Sequence, residues 1–514
     1  MRKQYLIYVL PLGIYLLAYS LFQRFGYKAL EIPWGYYQLL SREELVNVPL
    51  KSLYFLHSQP PLLNALLALL LRISTITGCS PEFWAEVLFF LLGLSSTILV
   101  FRIVDELTNS LVLAAVSITL ILSDPAFPFF QTFYFYPFIL HFLLVLFLAA
   151  GIRALKTGKR SAFMLCVFLL SLICNTRTLF HPIWAITIYA LMAVAIFIKH
   201  GEKQGLRIRN FFFPTLVLGL AITIWPLKNY ILFDQFTFST WEGFNIANSA
   251  DVHSSILDEY LSYGVVPEKV QKELQQFRIE HRLLDSDIRV ISESTKSDGS
   301  RNWNHYIFTV VNQPLRRQAI LYKITNPKQW LMTMASNYFA WTRASFIHPY
   351  TGEIRGPDTA MLTSYSKVYQ ALFFHDIRPF LESKIAVFAD RSLFYVGTSP
   401  LPFTVFGLLV FPLLMLLSLI IAVQKLLSKN ILGFTIMIIP WFTIFWLLLV
   451  PVLTDGIEGN RMRFSGTPYL VIQFVLIIKA LHSRTIQFSW HAQPGRSHNF
   501  AKTVKPPKIG RQYK

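Results

Sequence analysis

The chain has 514 residues, of which 54% are hydrophobic and only 15% charged. A soluble protein of this length would divide into several domains with charged surfaces, so the composition argues against one. The net charge of +19 invites a nucleic-acid-binding reading, and its distribution along the chain argues against that as well.

Arg2 and Lys3 precede an apolar run over 5–22 that no small-residue cleavage site follows, so it reads as a retained first span. The next segment, Gln23 to Ala85, begins too polar to be embedded and reads as a first external loop. It ends in PPLLNALLALLLRISTITG from Pro60, which is short for a span. This stretch is predicted to be a helix along the outer membrane surface, with Arg72 reaching the headgroups. Six further runs, 86–101, 111–128, 136–151, 162–178, 183–198 and 211–227, approach the length that a hydrocarbon core of about 30 Å demands of a helix. From Asn229 to Ser399 no run is long and apolar enough to cross. Counted from Lys228, that block holds 18 basic and 17 acidic residues, a balance typical of a soluble domain. Segments such as SSILDEYLSYG repeat apolar positions three to four apart, which predicts helices. The aromatic stretch from Asn326, NPKQWLMTMASNYFAWTRASF, is expected to rest on the membrane surface. Spans follow at 401–423, 431–452 and 467–482, then a basic, Pro/Gly-rich tail expected to be disordered.

With the N-terminus in the cytoplasm, the cytoplasmic pieces hold 21 of the 47 Lys+Arg and 3 of the 28 Asp+Glu, a net of +18, and the rest nets +1. The charge excess is therefore a positive-inside signal, and it supports about ten transmembrane helices with both ends cytoplasmic. The predicted fold class is an all-α polytopic membrane protein with one mainly helical external domain. Its parts are an N-terminal membrane domain (1–228, including the external loop 23–85), the external domain (229–399), three C-terminal spans (400–482) and the tail (483–514). Cys79, Cys166 and Cys174 make neither a disulfide framework nor a zinc spacing. No internal repeat of the transporter kind is present.

On this topology the unusual polar residues gather on the external face. They are Glu31, the His57-Ser58-Gln59 run before a proline pair, Asp124, Arg177 and His181, Lys228 and Asn229, and Glu458, Arg461 and Arg463. Ionisable groups at membrane depth are costly unless paired or functional. Each also has a plain reading: Asp124 precedes a proline and fits a turn cap, Lys228 fits a snorkelling lysine, and His57 and His181 fit structural histidines. The cations have a chemical reading too. A lipid-linked sugar carries phosphate at headgroup depth, where Arg177, Lys228, Arg461 and Arg463 could hold it and stabilise its charge as it leaves. A nearby carboxylate would take the acceptor's proton.

Several segments resemble the GT-C membrane glycosyltransferases, specifically the protein-mannosyltransferase-like group (glycosyltransferase family 39 type) that includes the lipid A aminoarabinose transferase. They are YFLHSQPPLLNALLALLLR with its proline pair, WGYYQLL, WPLKNYILFDQFTFSTWEGFNIA and GNRMRFSGTPYL. The similarity covers most of the membrane part and fades over roughly 250–400. The resemblance implies a polyprenyl-phosphate sugar donor, inversion at the anomeric carbon and an acid of the first external loop as base. That acid is Glu31 here, in Leu30-Glu31-Ile32 where the family usually has an Asp-Glu pair. Asp124 is expected to help it, and Asp124 or Glu242 could act in its place. His57, Gln59, His181, Asn229 and Glu458 are expected to line the site. No cofactor is required, and divalent metal dependence stays open because no acid cluster demands it. Expected partners are the lipid-linked donor, a lipid, glycan or protein acceptor, and membrane lipids, with no nucleic acid. The expected location is a bacterial plasma membrane with the site outside. Rival readings are a polysaccharide polymerase or ligase on a lipid-linked substrate, and a lipid or solute transporter.

Overall fold

The computed structural model describes residues 2–28, 30–204, 209–250, 252–348, 353–384, 395–396, 399–400, 403–454 and 459–491. Its helices are, in chain order, α1 (Arg2–Arg24), α2 (Arg42–Asn47), α3 (Pro49–Tyr54), α4 (Leu62–Thr77), α5 (Pro81–Thr108), α6 (Leu111–Leu122), α7 (Ala126–Thr132), α8 (Tyr136–Thr157), α9 (Arg160–Cys174), α10 (Pro182–Gln204) and α11 (Arg209–Phe233). Then come α12 (Glu242–Asn248), α13 (Ser255–Tyr263), α14 (Glu268–Glu280), α15 (Asp285–Ser292), α16 (Ile307–Thr325), α17 (Pro327–Thr342), α18 (Ala360–Phe373), α19 (Arg378–Lys384), α20 (Phe411–Leu427), α21 (Ile431–Thr454) and α22 (Gly459–His491). A π-helical turn, Phe406–Val410, leads into α20. The one sheet among the described residues pairs Tyr395–Val396 with Ser399–Pro400.

This is an all-α, multi-pass membrane protein. Among the described residues, eight helices are long and apolar enough to cross a bilayer: α1, α5, α8, α10, α11, α20 with its π turn, α21 and α22. The predicted run 111–128 is a helix pair, α6 and α7, bent by 64°. The bend falls at Pro125, which has no N–H to continue the ladder, while Asp124 Oδ1 accepts the Ala126 N–H at 2.9 Å. The predicted run 162–178 is the 15-residue α9, packed between α8 and α11. The segment after the proline pair forms the 16-residue α4, closed by Gly78 at φ 73°. At 1.5 Å per residue α4 is about 24 Å long, short of the ~30 Å core. It buries Leu63, Leu67, Leu70 and Leu71, and packs on α2, α3 and α5.

Lys156 pairs with Glu106 at 2.7 Å, Lys199 and His200 contact the Leu155 carbonyl, and Lys479 contacts the Leu107 carbonyl. These basic groups share one end of the bundle, at the C-terminal ends of α5 and α8, where cations favour the helix dipole. The opposite end carries α12–α19. Among the described residues of that region no helix is long and apolar enough to cross a membrane. Its core packs Trp241, Tyr260, Ile307 and Phe308 where α12 lies against α16. The predicted surface helix from Asn326 is α17. Its second half packs against α21 and the π turn. Asn337 Nδ2 donates to Val452 O (3.0 Å), Tyr338 to Gly407 O (2.6 Å), and Trp341 Nε1 to Leu447 O (2.8 Å), seven residues inside the end of α21.

Candidate functional site

The four residues before the proline pair, Leu56–Gln59, are gripped by four distant segments. Lys228 Nζ donates to Leu56 O at 2.5 Å. His57 Nδ1 lies 2.7 Å from Thr240 Oγ1, and His57 O accepts the Thr240 N–H at 3.1 Å. Asn304 Oδ1 accepts the N–H groups of both His57 and Ser58, at 3.0 and 3.1 Å. Ser239 Oγ donates to Ser58 O, and Arg177 donates to Gln59 Oε1 at 2.7 Å. The first proline ends any helix upstream because its neighbour is pushed out of the α region, so the non-helical run offers its backbone to partners. Leu62 N–H then donates to Asn175 O, tying the start of α4 to the end of α9.

From Gln59 a circuit of contacts leads round to where it began. Arg177 lies over the Tyr136 ring at 4.9 Å, and Arg461 lies over the same ring at 5.4 Å. Arg461 donates to the hydroxyls of Tyr36 and Tyr37, the latter at 3.0 Å. Tyr37 packs 5.6 Å from Trp241, next in the chain to Thr240, which holds His57. The circuit thus joins the first loop, the start of α8, the α9–α10 turn, the start of α22 and the segment before α12. Arg461 and Arg177 are buried, at 1% and 7% exposure.

The charges stand where helix dipoles oppose them. Arg461 sits in the first turn of α22, and Arg177 lies shortly before α10. Tyr136, between the two guanidinium groups, is the first residue of α8, and none of these three helices has an acid in its first turn. A helix start carries about +0.5 of an elementary charge and attracts anions. Among the described residues no carboxylate pairs with Arg177 or Lys228. Buried donors also lack a partner at Trp34 Nε1 and Gln38 Nε2, on either side of Tyr36 and Tyr37.

The predicted site residues divide. Arg177, Arg461, Lys228, His57 and Gln59 are brought into or against the circuit. Arg463 is not: it donates to Thr342 O, Arg343 O and Ser345 Oγ, and packs against Phe374 and Phe406. Asp124 lies on the Arg463 side, in electrostatic range of Arg463, Tyr365 and Tyr369, with its turn held by Tyr27 on Pro125 O and Tyr365 on Ser123 O. Glu31 is exposed and has no hydrogen bond or ion pair with any described residue. His181 accepts the Ile183 N–H at the start of α10, within electrostatic range of Glu242. Asn229 closes the turn after α11 by donating to Thr237 O, and Glu242 accepts from Thr237 and pairs with Arg316 at 3.5 Å. Glu458 lies outside the described residues. Sequence reasoning passed over Tyr36, Tyr37, Tyr136, Thr240 and Asn304. The YY pair in WGYYQLL was on view as part of a motif, whereas nothing local marks Asn304 or Thr240. Among the described residues no three His, Cys, Asp or Glu side chains gather as metal ligands.

Two buried imidazoles give a pH signature. Burial holds His57 well below its usual 6.5 and His305 down to about 4. Both are therefore neutral when folded, and unfolding lets them take a proton below 6.5. Their stabilising contribution is full above 6.5 and is lost as pH falls toward 4. Glu44, pushed up to about 7 by burial, acts with the opposite sign, so a variant must isolate the effect. From about pH 7.5 to about pH 5, thermal melts should show wild type losing about 2 kcal/mol that His305→Gln keeps. Equal losses in the two proteins would show that His305 does not titrate in this way.

No protein-family model matches the chain, and no curated protein matches it.

Proposed function

We propose that this protein is an integral-membrane glycosyltransferase of the GT-C kind, moving a sugar from a polyprenyl-phosphate donor to an acceptor on the external face. One observation carries the reading: two buried arginines from separate segments converge on Tyr136 beside helix starts, where the dipoles favour an anion. Phosphate at headgroup depth is such an anion. In this reading the bent pair α6–α7 and the short α9 complete ten passes, and the end of the bundle carrying α12–α19 faces outward, in a bacterial plasma membrane.

Arg177 and Arg461 grip the donor phosphate from two sides of Tyr136, and Lys228 holds the other end of the Leu56–Gln59 segment through the Leu56 carbonyl. Glu31, exposed and bonded to no described residue, takes the proton of the acceptor hydroxyl. The acceptor oxygen bonds to the anomeric carbon from the face opposite the phosphate. The bond from that carbon to the phosphate oxygen breaks, the electron pair leaves on the phosphate, and the configuration inverts. The cations stabilise the charge that develops. Asp124, whose carboxylate already caps the Ala126 N–H, is the less available base.

The test is transfer of radiolabelled sugar from a panel of polyprenyl-phosphate sugars in proteoliposomes, with candidate acceptors supplied. Wild type should transfer, and Glu31→Gln should fall by about 10²-fold or more while melting as wild type does. Transfer that survives in the variant would overturn Glu31 as base and move that role to Asp124 or Glu242. A wild type that consumes no donor would overturn the enzyme reading.

A further inference from the structure

Tyr37 connects the arginine circuit to a cluster of aromatic rings. Its ring lies 5.6 Å from both Trp241 and Trp303, and Phe244 lies 6.0 Å from Trp303. Trp241 and Phe308 form the floor of the cluster, at 2% and 0% exposure, and are ordinary core. Tyr37, Phe244 and Trp303 are only partly buried and form its rim.

The rim is held rigidly. Trp303 stacks on Phe308 at 5.7 Å with an interplanar angle of 20°, and its carbonyl accepts the Trp241 indole N–H at 2.9 Å. Its neighbours are anchored as well: Asn302 donates to Val290 O and Glu293 O, and Asn304 bonds His57, Ser58 and Phe55 O. The indole N–H of Trp303 itself donates to no described residue and is not among the buried unpartnered donors, so it is open to water or a ligand. Trp and Tyr usually find a partner for their polar atom, which is why they mark surfaces where one side is apolar and the other polar. A pyranose ring has that character: its C–H face packs on an aromatic face, and its hydroxyls accept from an indole N–H.

We infer that Tyr37, Phe244 and Trp303 form a saccharide-stacking subsite beside Arg461. The inference deepens the transfer reading and rests on it for which reactant supplies the sugar ring, but not for the stacking. A polyprenyl chain would also cover aromatic rings. It would leave the Trp303 N–H without an acceptor, so the ring cluster favours the sugar over the lipid tail.

The experiment uses the full chain in nanodiscs, free of sugar-based detergent. Methyl glycosides of glucose, mannose, galactose and N-acetylglucosamine are the probes, read by saturation-transfer NMR on their ring C–H protons. At least one should receive saturation from wild type. That signal should fall about 5-fold or more in Trp303→Leu, which keeps apolar bulk, and in Phe244→Leu as a second rim variant. Trp84→Leu, at the start of α5, should leave it unchanged. No saturation of any glycoside would overturn the subsite, as would equal signals in wild type and both rim variants. Binding of a short prenol that the rim variants abolish, without glycoside binding, would overturn it in favour of a lipid groove. In proteoliposomes, a KM raised about 10-fold for the acceptor alone would assign the ring to the acceptor, and one raised for the donor alone would assign it to the donor sugar. Failure of wild-type transfer would sink the enzyme reading and leave the NMR result standing.

Discussion

Replacing Arg461 by glutamine is expected to lower sugar transfer by about 10²- to 10³-fold while leaving the protein folded. The guanidinium is buried at 1% exposure, and it donates to two partly exposed tyrosine hydroxyls and lies over three ring faces. Removing a cation from the first turn of α22 relieves an unfavourable interaction with the helix dipole, which offsets the lost contacts. The position of the cation at a helix start therefore favours an anion beside it. Arg177→Gln should be similarly harmful, since it faces Arg461 across Tyr136. If both hold one phosphate, the double variant should lose less than the product of the single losses, because neither arginine alone fixes the group. Arg463→Gln should behave in the opposite way. Its N–H groups satisfy Thr342 O, Arg343 O and Ser345 Oγ, so its loss should lower the melting temperature while the surviving folded protein keeps most of its activity. Transfer rates in proteoliposomes, paired with melts, decide the matter. An active Arg461→Gln would remove the phosphate clamp, and so would a stable but inactive Arg463→Gln.

That contrast also shows where sequence reasoning stops. Arg461 and Arg463 read as a pair because they are two apart in GNRMRF. On a helix two residues turn by about 200°, so they face different neighbours: Arg461 the first loop, Arg463 the end of α17. The helical period alone could have separated them. The spans were legible because bilayer thickness dictates length and apolarity, and those are local properties. The bend between α6 and α7 was signalled by Asp124-Pro125, a turn dipeptide inside an apolar run. The proline-pair segment was legible as unusual but not as a hub. Its partners, Thr240, Ser239 and Asn304, are common polar residues 180 to 250 positions away. Nothing in their own surroundings distinguishes them from loop residues on the surface. Their role arises only when α12 and α16 pack and carry them to His57.

That packing is itself open to a sharp test at Gly243. A Cβ added there would stand 2.0 Å from the Asn312 carbonyl oxygen, which is backbone of α16 and cannot swing aside. The same contact carries a hydrogen bond from Gly243 N–H to Asn312 Oδ1 at 2.6 Å, and Asn312 in turn donates to Gln235 Oε1 at 2.7 Å. Alanine must push α12 off α16 and break this chain. The expected cost is about 3–5 kcal/mol, at the upper end for a single substitution. Gly13→Ala in α1 and Gly219→Ala in α11 are matched controls, since neither added Cβ meets an atom within 4 Å. Ala exceeds Gly in helix propensity, so both should be neutral or stabilising by up to about 1 kcal/mol. The loss at Gly243 should be local in origin and distant in effect. Limited proteolysis should open 234–348 first, leaving α5, α8 and α22 protected. Transfer should fail even in molecules whose bundle is intact, because the Thr240 bond to His57 and the Trp241 contact to Tyr37 both depend on where α12 lies. If Gly243→Ala melts and transfers like wild type, then α12 does not hold the circuit closed. The site would then have to be supported by the first loop and the starts of α8 and α22 alone.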